Sequence, residues 1–406
     1  MKKTTFRFPK IVMCFGLKGA IFCFLLSLVL FGCGDRKNDD NTIRFNESSQ
    51  YEISLDRFTS PVEEYIQYIP NWKGDEVIAM HVRGNNQIKL YSLIEGFLVD
   101  SIKYETEGPT AIRRVYDFHI INEDSILLNH RYHYTMSLVD QDLNVLKEFT
   151  FLPDGVELDP KTQIPTSGDT YLVVFNHNEP VRKIGNKLIL TTSPDRDHYD
   201  PYYYDADYLL ISLDMETMEI KRLLSFPDKM KGKTWGSSHA MVYSTYIPNS
   251  NQFIISFAAD EKLHLMDLEL GIIESANAKV AGFKEIRPFG IKKSNPSQEK
   301  SIEYLFNMPI YGSVLFDQYR KVYYRIGLDE NPNYGSVFIR DPLHNPREIT
   351  VMVFDLEFNK VVEQRIPHTE NGVYLDRCFV NEKGLNIAYV DLENEDKLYF
   401  KTFLVQ

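Results

Sequence analysis

Residues 193–207, "SPDRDHYDPYYYDAD", gather five aspartates, four tyrosines and one histidine into fifteen positions. Two kinds of chemistry would use such a set. Closely spaced carboxylates can ligate a hard cation, calcium above all, because that ion takes roughly six to eight oxygen ligands. Tyrosine rings offer a flat apolar face and a hydroxyl, which suits sugars, peptides and protein surfaces. The helix–loop–helix calcium register fails. Counted from Asp195, Asp197 falls on the third position, but Asp200 takes the place of the sixth-position glycine and Ala206 that of the twelfth-position glutamate. What remains is an irregular calcium site on Asp195, Asp197 and Asp200. Tyr199, Tyr202, Tyr203 and Tyr204 form the candidate ligand-binding rim, against the plainer reading that these rings fold back to cover the protein.

The rest of the chain adds little reactive chemistry. His130 and His133 stand three apart without a third ligand nearby, and the other histidines are scattered. There is no G-x-S-x-G elbow, no phosphate-binding loop and no dinucleotide fingerprint. Asp and Glu number 57, enough for a glycosidase-type carboxylate pair to be assembled by folding. Cys378, in "YLDRCFVNE", is the one cysteine after residue 33, so it has no internal disulfide partner and reads as a small buried hydrophobe.

Such residues need a scaffold, and the scaffold reads as strands. Short runs rich in β-branched and aromatic residues recur between turn signals, among them "SILLNHRY", "KLILTT", "FIISFAA" and "VMVFDL". Four strands end in an aspartate, at Asp140, Asp214, Asp267 and Asp355, with an acid two residues on and Asn144, Met218, Gly271 and Asn359 four residues on. An aspartate can accept hydrogen bonds from turn amides, and Asn or Gly tolerates the positive φ of a tight hairpin. Met218 breaks that pattern and points to a longer turn there. Third-to-fourth-strand hairpins fall near 88–104, 136–151, 208–226, 263–280 and 351–366. A sixth unit ends the chain one strand short. "QYEISLD", residues 50–56, can supply the missing edge and close the ring. The expected fold is therefore all-β: a six-bladed β-propeller of four-stranded antiparallel blades, with seven blades as the alternative. Long insertions fall around 152–184 and 284–310. The tyrosine-rich stretch joins the second and third strands of the third blade, at a rim.

The first residues read as an address. Lys2, Lys3, Arg7, Lys10 and Lys18 precede the apolar run "AIFCFLLSLVLF", which is too short to span a bilayer comfortably. "LFGC", Leu30–Cys33, then resembles a lipobox, which implies acylation of Cys33. The expected organisation is a signal peptide over 1–32, a lipidated flexible tether over 33–49 and one propeller over 50–406. Removing residues 1–32 deletes five basic residues and no acidic one, taking the net charge from −12 to −17. That balance argues against nucleic acid as a partner.

The phrase "FDQYRKVYYRI", Phe316–Ile326, together with the signal and the six-unit layout, resembles an uncharacterised propeller lipoprotein family of Bacteroides type, domain of unknown function 4221. The resemblance implies a propeller over nearly the whole mature chain and brings no activity, substrate or catalytic residue. The functional expectation is an outer-membrane lipoprotein, facing periplasm or cell surface. It would be held to the membrane by its N-terminal lipid and would bind an envelope protein, glycan or peptide. The alternative is a glycan- or peptide-processing enzyme using carboxylates at the central channel.

Overall fold

Several strands of this chain are apolar on both sides because each sheet is sandwiched between two others. The runs Val322–Leu328, Ile349–Phe354 and Gly384–Val390 are buried at every position. The structure, a computed structural model, describes residues 45–63, 65–108, 111, 112, 114–153, 155–161, 165, 169–175, 178, 180–333, 347–366, 372–391 and 393–406, with backbone alone for 372–376. The expected signal peptide, Cys33 and the first part of the tether lie outside the described residues.

Strand β1 (Phe45–Ser54) is followed by blade one, β2 (Ile66–Trp72), β3 (Asp75–Val82), β4 (Gln87–Ser92) and β5 (Leu98–Lys103). Blade two is β6 (Asp117–Asn122), β7 (Ser125–His130), β8 (Thr135–Val139) and β9 (Val145–Thr150). Blade three has β10 (Tyr171–Val173), β11 (Val181–Ile184), β12 (Lys187–Pro194), β13 (Leu210–Asp214) and β14 (Ile220–Arg222). Blade four is β15 (Val242–Ile247), β16 (Gln252–Phe257), β17 (Lys262–Asp267) and β18 (Gly271–Asn277). Among the described residues one α-helix, α1 (Gln298–Asn307), lies in the expected second insertion, with Ser297 Oγ capping it by accepting from Lys300 N. Blade five is β19 (Ile310–Asp317), β20 (Val322–Leu328), β21 (Ile349–Phe354) and β22 (Lys360–Ile366). Blade six is β23 (Gly372–Asn381), β24 (Gly384–Val390) and β25 (Lys397–Val405), completed by β1.

The six blades form a propeller ring closed as the sequence predicts. β1 pairs antiparallel with β25 from Phe45↔Val405 to Ser54↔Lys397. It begins at Phe45, so residues 45–49, which the sequence assigns to the tether, are strand. Phe45 is fully buried, stacks on Phe403 at 5.3 Å and touches Tyr324 of blade five. The first strand of each blade faces the ring axis and the fourth faces out, so β5, β9, β14, β18 and β22, with β1 in blade six, are largely exposed or half-buried.

The repeated aspartates do what local chemistry demands. Asp140 Oδ1 accepts the amides of Asp142 and Asn144, both at 2.9 Å. Asp214, Asp267 and Asp355 do the same with Glu216 and Thr217, Glu269 and Leu270, and Glu357 and Asn359. The left-handed residue, however, is not always the fourth. In two turns it is Leu143 and Phe358, while Asn144 and Asn359 donate their side-chain amides back to the aspartate at 2.9 Å. Met218 takes the left-handed conformation itself (φ 64°) instead of requiring a longer turn, and its side chain packs against the core. Burial offsets a backbone cost of about 1–2 kcal/mol.

Arg325, in the phrase that carries the family resemblance, is completely buried between blades four and five. It donates to Ser256 Oγ and to the carbonyls of Glu261, Ala278, Phe257 and Asp260, and its guanidinium lies 3.9 Å over the Tyr311 ring. Asp317, also buried, accepts Tyr324 Oη, Arg320 and two turn amides. The phrase is thus an interblade clamp.

Candidate functional site

Antiparallel blades put their first–second and third–fourth turns on one face of the ring and their second–third connections on the other. The tyrosine-rich stretch, between β12 and β13, therefore belongs to the face opposite the repeated aspartate turns. Residues Pro201–Asp205 form a 3-10 turn capped by Asp200, whose Oδ1 accepts Tyr202 N at 3.0 Å. A three-residue repeat sends Tyr202 outward, 67% exposed, while Tyr203 and Tyr204 are 3% and 0% exposed. Tyr203 bonds Ser193 Oγ, Tyr204 donates to the His198 carbonyl and accepts from Trp235 N, and both rings pack on Phe226. Tyr199 lies against Gly236, where a Cβ would stand 3.1 Å from the tyrosine hydroxyl, and meets Phe289 edge-on. The expected four-ring rim is corrected accordingly. Two of the rings are core, because a long connection needs apolar anchors to be held, and only Tyr202 is freely presented.

The aspartates of this loop are likewise engaged separately. Asp195 accepts the Tyr134 hydroxyl, Asp197 accepts Tyr199 N at 2.9 Å, and Asp200 pairs with Lys293 at 3.1 Å. Burial raises the Asp200 pKa, but the Tyr202 amide and Lys293 outweigh it and hold the carboxyl below its ordinary range. Among the described residues, no three His, Cys, Asp or Glu side chains converge as a metal site requires.

The ring axis offers a different site. A cavity of 530 Å³ is lined by all six inner positions, β2, β6, β11, β15, β19 and β23, with Pro248 from the turn after β15 and Gln318 and Tyr319 from the turn after β19. These turns put its mouth on the aspartate-turn face. Blade three is irregular here. Its inner strand is split, β10 pairing with Thr192–Pro194 and β11 with Lys187–Leu190 of the same neighbour. From the intervening segment Asn178 Nδ2 donates to Cys378 Sγ at 3.0 Å. Blades three and six are diametrically opposed in a ring of six, so this bond crosses the axis and makes the cavity a pocket at that level.

The walls are fixed by contacts between blades. Gln67 of β2 bonds both the carbonyl and the amide of Ile120 in β6, at 2.8 Å each, substituting for a backbone ladder. Tyr68 stacks on Phe379 at 4.2 Å. Arg182 lies over the Tyr246 ring at 4.6 Å. Arg377 is buried and donates to the Pro61 and Glu63 carbonyls. His119 Nδ1 has no hydrogen-bond partner among the described residues. Burial, aided by the Arg182 charge, pulls its imidazole down to about 3, so it is neutral at pH 7. The described lining holds Arg182, Lys183 and Arg377 and not one carboxylate. Glu76 is taken up by Tyr68 and by Asn381 Nδ2 at 3.2 Å. The carboxylate pair imagined at the channel is thus not among the described lining residues. Beside the mouth a groove of 720 Å³ runs between blades four and five, sharing Pro248, Phe316, Gln318 and Tyr319 with the cavity.

One arrangement looks catalytic but is saturated. Ser275 Oγ lies 2.7 Å from His264 Nδ1, and His264 Nε2 lies 3.2 Å from Asp260 Oδ2. Asp260 also holds Lys229 at 2.6 Å and the Lys262 amide. Burial raises the Asp260 pKa, but hydrogen bonds from His264 and Lys229 overcome it and keep the carboxyl well below its usual range. Neither the channel cavity nor the groove reaches Ser275. The trio ties β17 to β18 and to the turn before β17.

Arg182 and Lys183, in "VRKIGN", escaped the sequence reading. Adjacent cations on a strand are ordinary until that strand is known to be innermost.

A family model described as "Domain of unknown function (DUF4221)" matches residues 42–365. The chain belongs to this family. A DUF4221 member from Bacteroides vulgatus, known from a crystal structure, is 19% identical with a TM-score of 0.73, over 90% of this chain and 99% of that one. A protein from Bacteroides fragilis described as exported is 10% identical with a TM-score of 0.50, over 91% and 97%. At these identities the likeness carries the DUF4221 fold alone. No curated protein matches this sequence.

Proposed function

We propose that this DUF4221 chain is a lipid-anchored propeller of the bacterial cell envelope that binds its ligand in the axial cavity. The observation that carries the binding role is the composition of that cavity. Six blades converge on aromatic, amide and cationic side chains, and the described lining has no carboxylate to act as general acid, base or nucleophile. Binding is the chemistry such a lining supports. The envelope address rests on the basic flank, the short apolar run and "LFGC" at Leu30–Cys33. The Bacteroides fragilis relative described as exported is in keeping with it. No helix among the described residues is long and apolar enough to cross a membrane.

The test is to express the full chain and its Cys33→Ala variant in a Gram-negative host, label with a palmitate analogue and fractionate. The wild-type chain should carry label and sediment with membranes, and Cys33→Ala should lose both. Equal sedimentation of the two without label would contradict the anchor.

A further inference from the structure

Taking the axial cavity as the ligand site, its chemistry narrows the ligand class. The chain is acidic overall, yet this cavity gathers cations. No carboxylate pairs with Arg182 or Lys183 among the described residues, although ion pairs are common elsewhere on the surface. A cation left unpaired where low-dielectric walls focus its field attracts a ligand of opposite charge.

Geometry makes Arg182 more than a diffuse charge. Its guanidinium is stacked on Tyr246. The ring contact restrains the side chain, and a guanidinium without a carboxylate partner can grip an oxyanion through two parallel N–H bonds. Lys183 follows on the same short strand and, though its side chain leaves the other face, also lines the cavity, as does the neutral His119. The stacked Tyr68 and Phe379 give an apolar wall, and the Asn178–Cys378 bond closes the axis. A ligand would therefore enter from the mouth and present one end. We propose that the cavity binds the oxyanion of a small polar ligand, a carboxylate or a phosphate, through Arg182, with Lys183 adding positive charge at the same wall. A volume of 530 Å³ accommodates a molecule of one or two sugar rings.

The experiment is isothermal titration of the purified full chain with glucuronate, glucose 6-phosphate, glucose and glucosamine, at low and high salt. One or both acidic probes should bind at least about tenfold more tightly than glucose or glucosamine, and more weakly at high salt. Which acid binds distinguishes the two oxyanions. Arg182→Gln should weaken that binding by about tenfold or more and Lys183→Gln by less, with no large change in melting temperature, since both side chains are exposed. If glucose or glucosamine binds as tightly as the acids, or if both variants bind the acids like wild type, the oxyanion assignment is overturned and the binding role of the cavity stands. If none of the four probes binds, the assignment and the cavity reading fall together.

Discussion

Tyr202 and Tyr203 are chemically identical neighbours with opposite positions, one exposed and one buried on Phe226. Truncating each separates surface from core. Tyr203→Ala should lower unfolding stability by about 3 kcal/mol, the range for deleting a buried ring. Tyr202→Ala should change it by less than about 0.5 kcal/mol. Urea denaturation of the two variants checks this, and equal losses would contradict the assignment. The same comparison shows what single residues disclose in sequence. Asp140, Asp214, Asp267 and Asp355 were legible because their partners are amides two to four residues away. Tyr203 was not, because nothing in "DPYYYD" says which side of a 3-10 turn faces the protein. Arg182 was not either, since its meaning depends on Tyr246, which lies in the next blade.

At the scale of elements, strand order was readable and strand ends were not. The period of apolar runs and aspartate turns gave six units, including the borrowed edge strand. It missed the early start of that strand, because "RFNESSQ" carries one large apolar residue, Phe45, among polar neighbours. Phe45 earns its place through blade five and β25, not through local pattern. Phe45→Ala should therefore cost about 3–5 kcal/mol. Limited proteolysis should then cut before Ser54 more readily than in wild type, because the closing strand loses its terminal anchor. A loss below 1 kcal/mol with unchanged cleavage would mean that β1 closes the ring without that anchor. The split inner strand of blade three was equally hidden. The sequence marks 152–184 as an insertion, but only packing reveals that part of it interrupts β10–β11 and sends Asn178 across the axis.

For the whole molecule, the exterior and the axis carry opposite signs. The net-acidic chain repels other anions at long range, while the axial cavity concentrates cations where six blades meet. Closure makes that possible, since a ring without an open edge can hold a polar centre in register from six sides. The interblade clamp around Arg325 shows why the family phrase is legible although the function is not: its buried arginine holds blades together, while Phe316, Gln318 and Tyr319 of the same phrase line the cavity. The most direct test of the account is hydrogen–deuterium exchange of the full chain with and without saturating glucuronate or glucose 6-phosphate. Exchange should slow in the peptides carrying His119, Arg182 and Tyr246, with no change over 199–204. Protection confined to 199–204 would contradict it and return the ligand to the tyrosine loop on the opposite face.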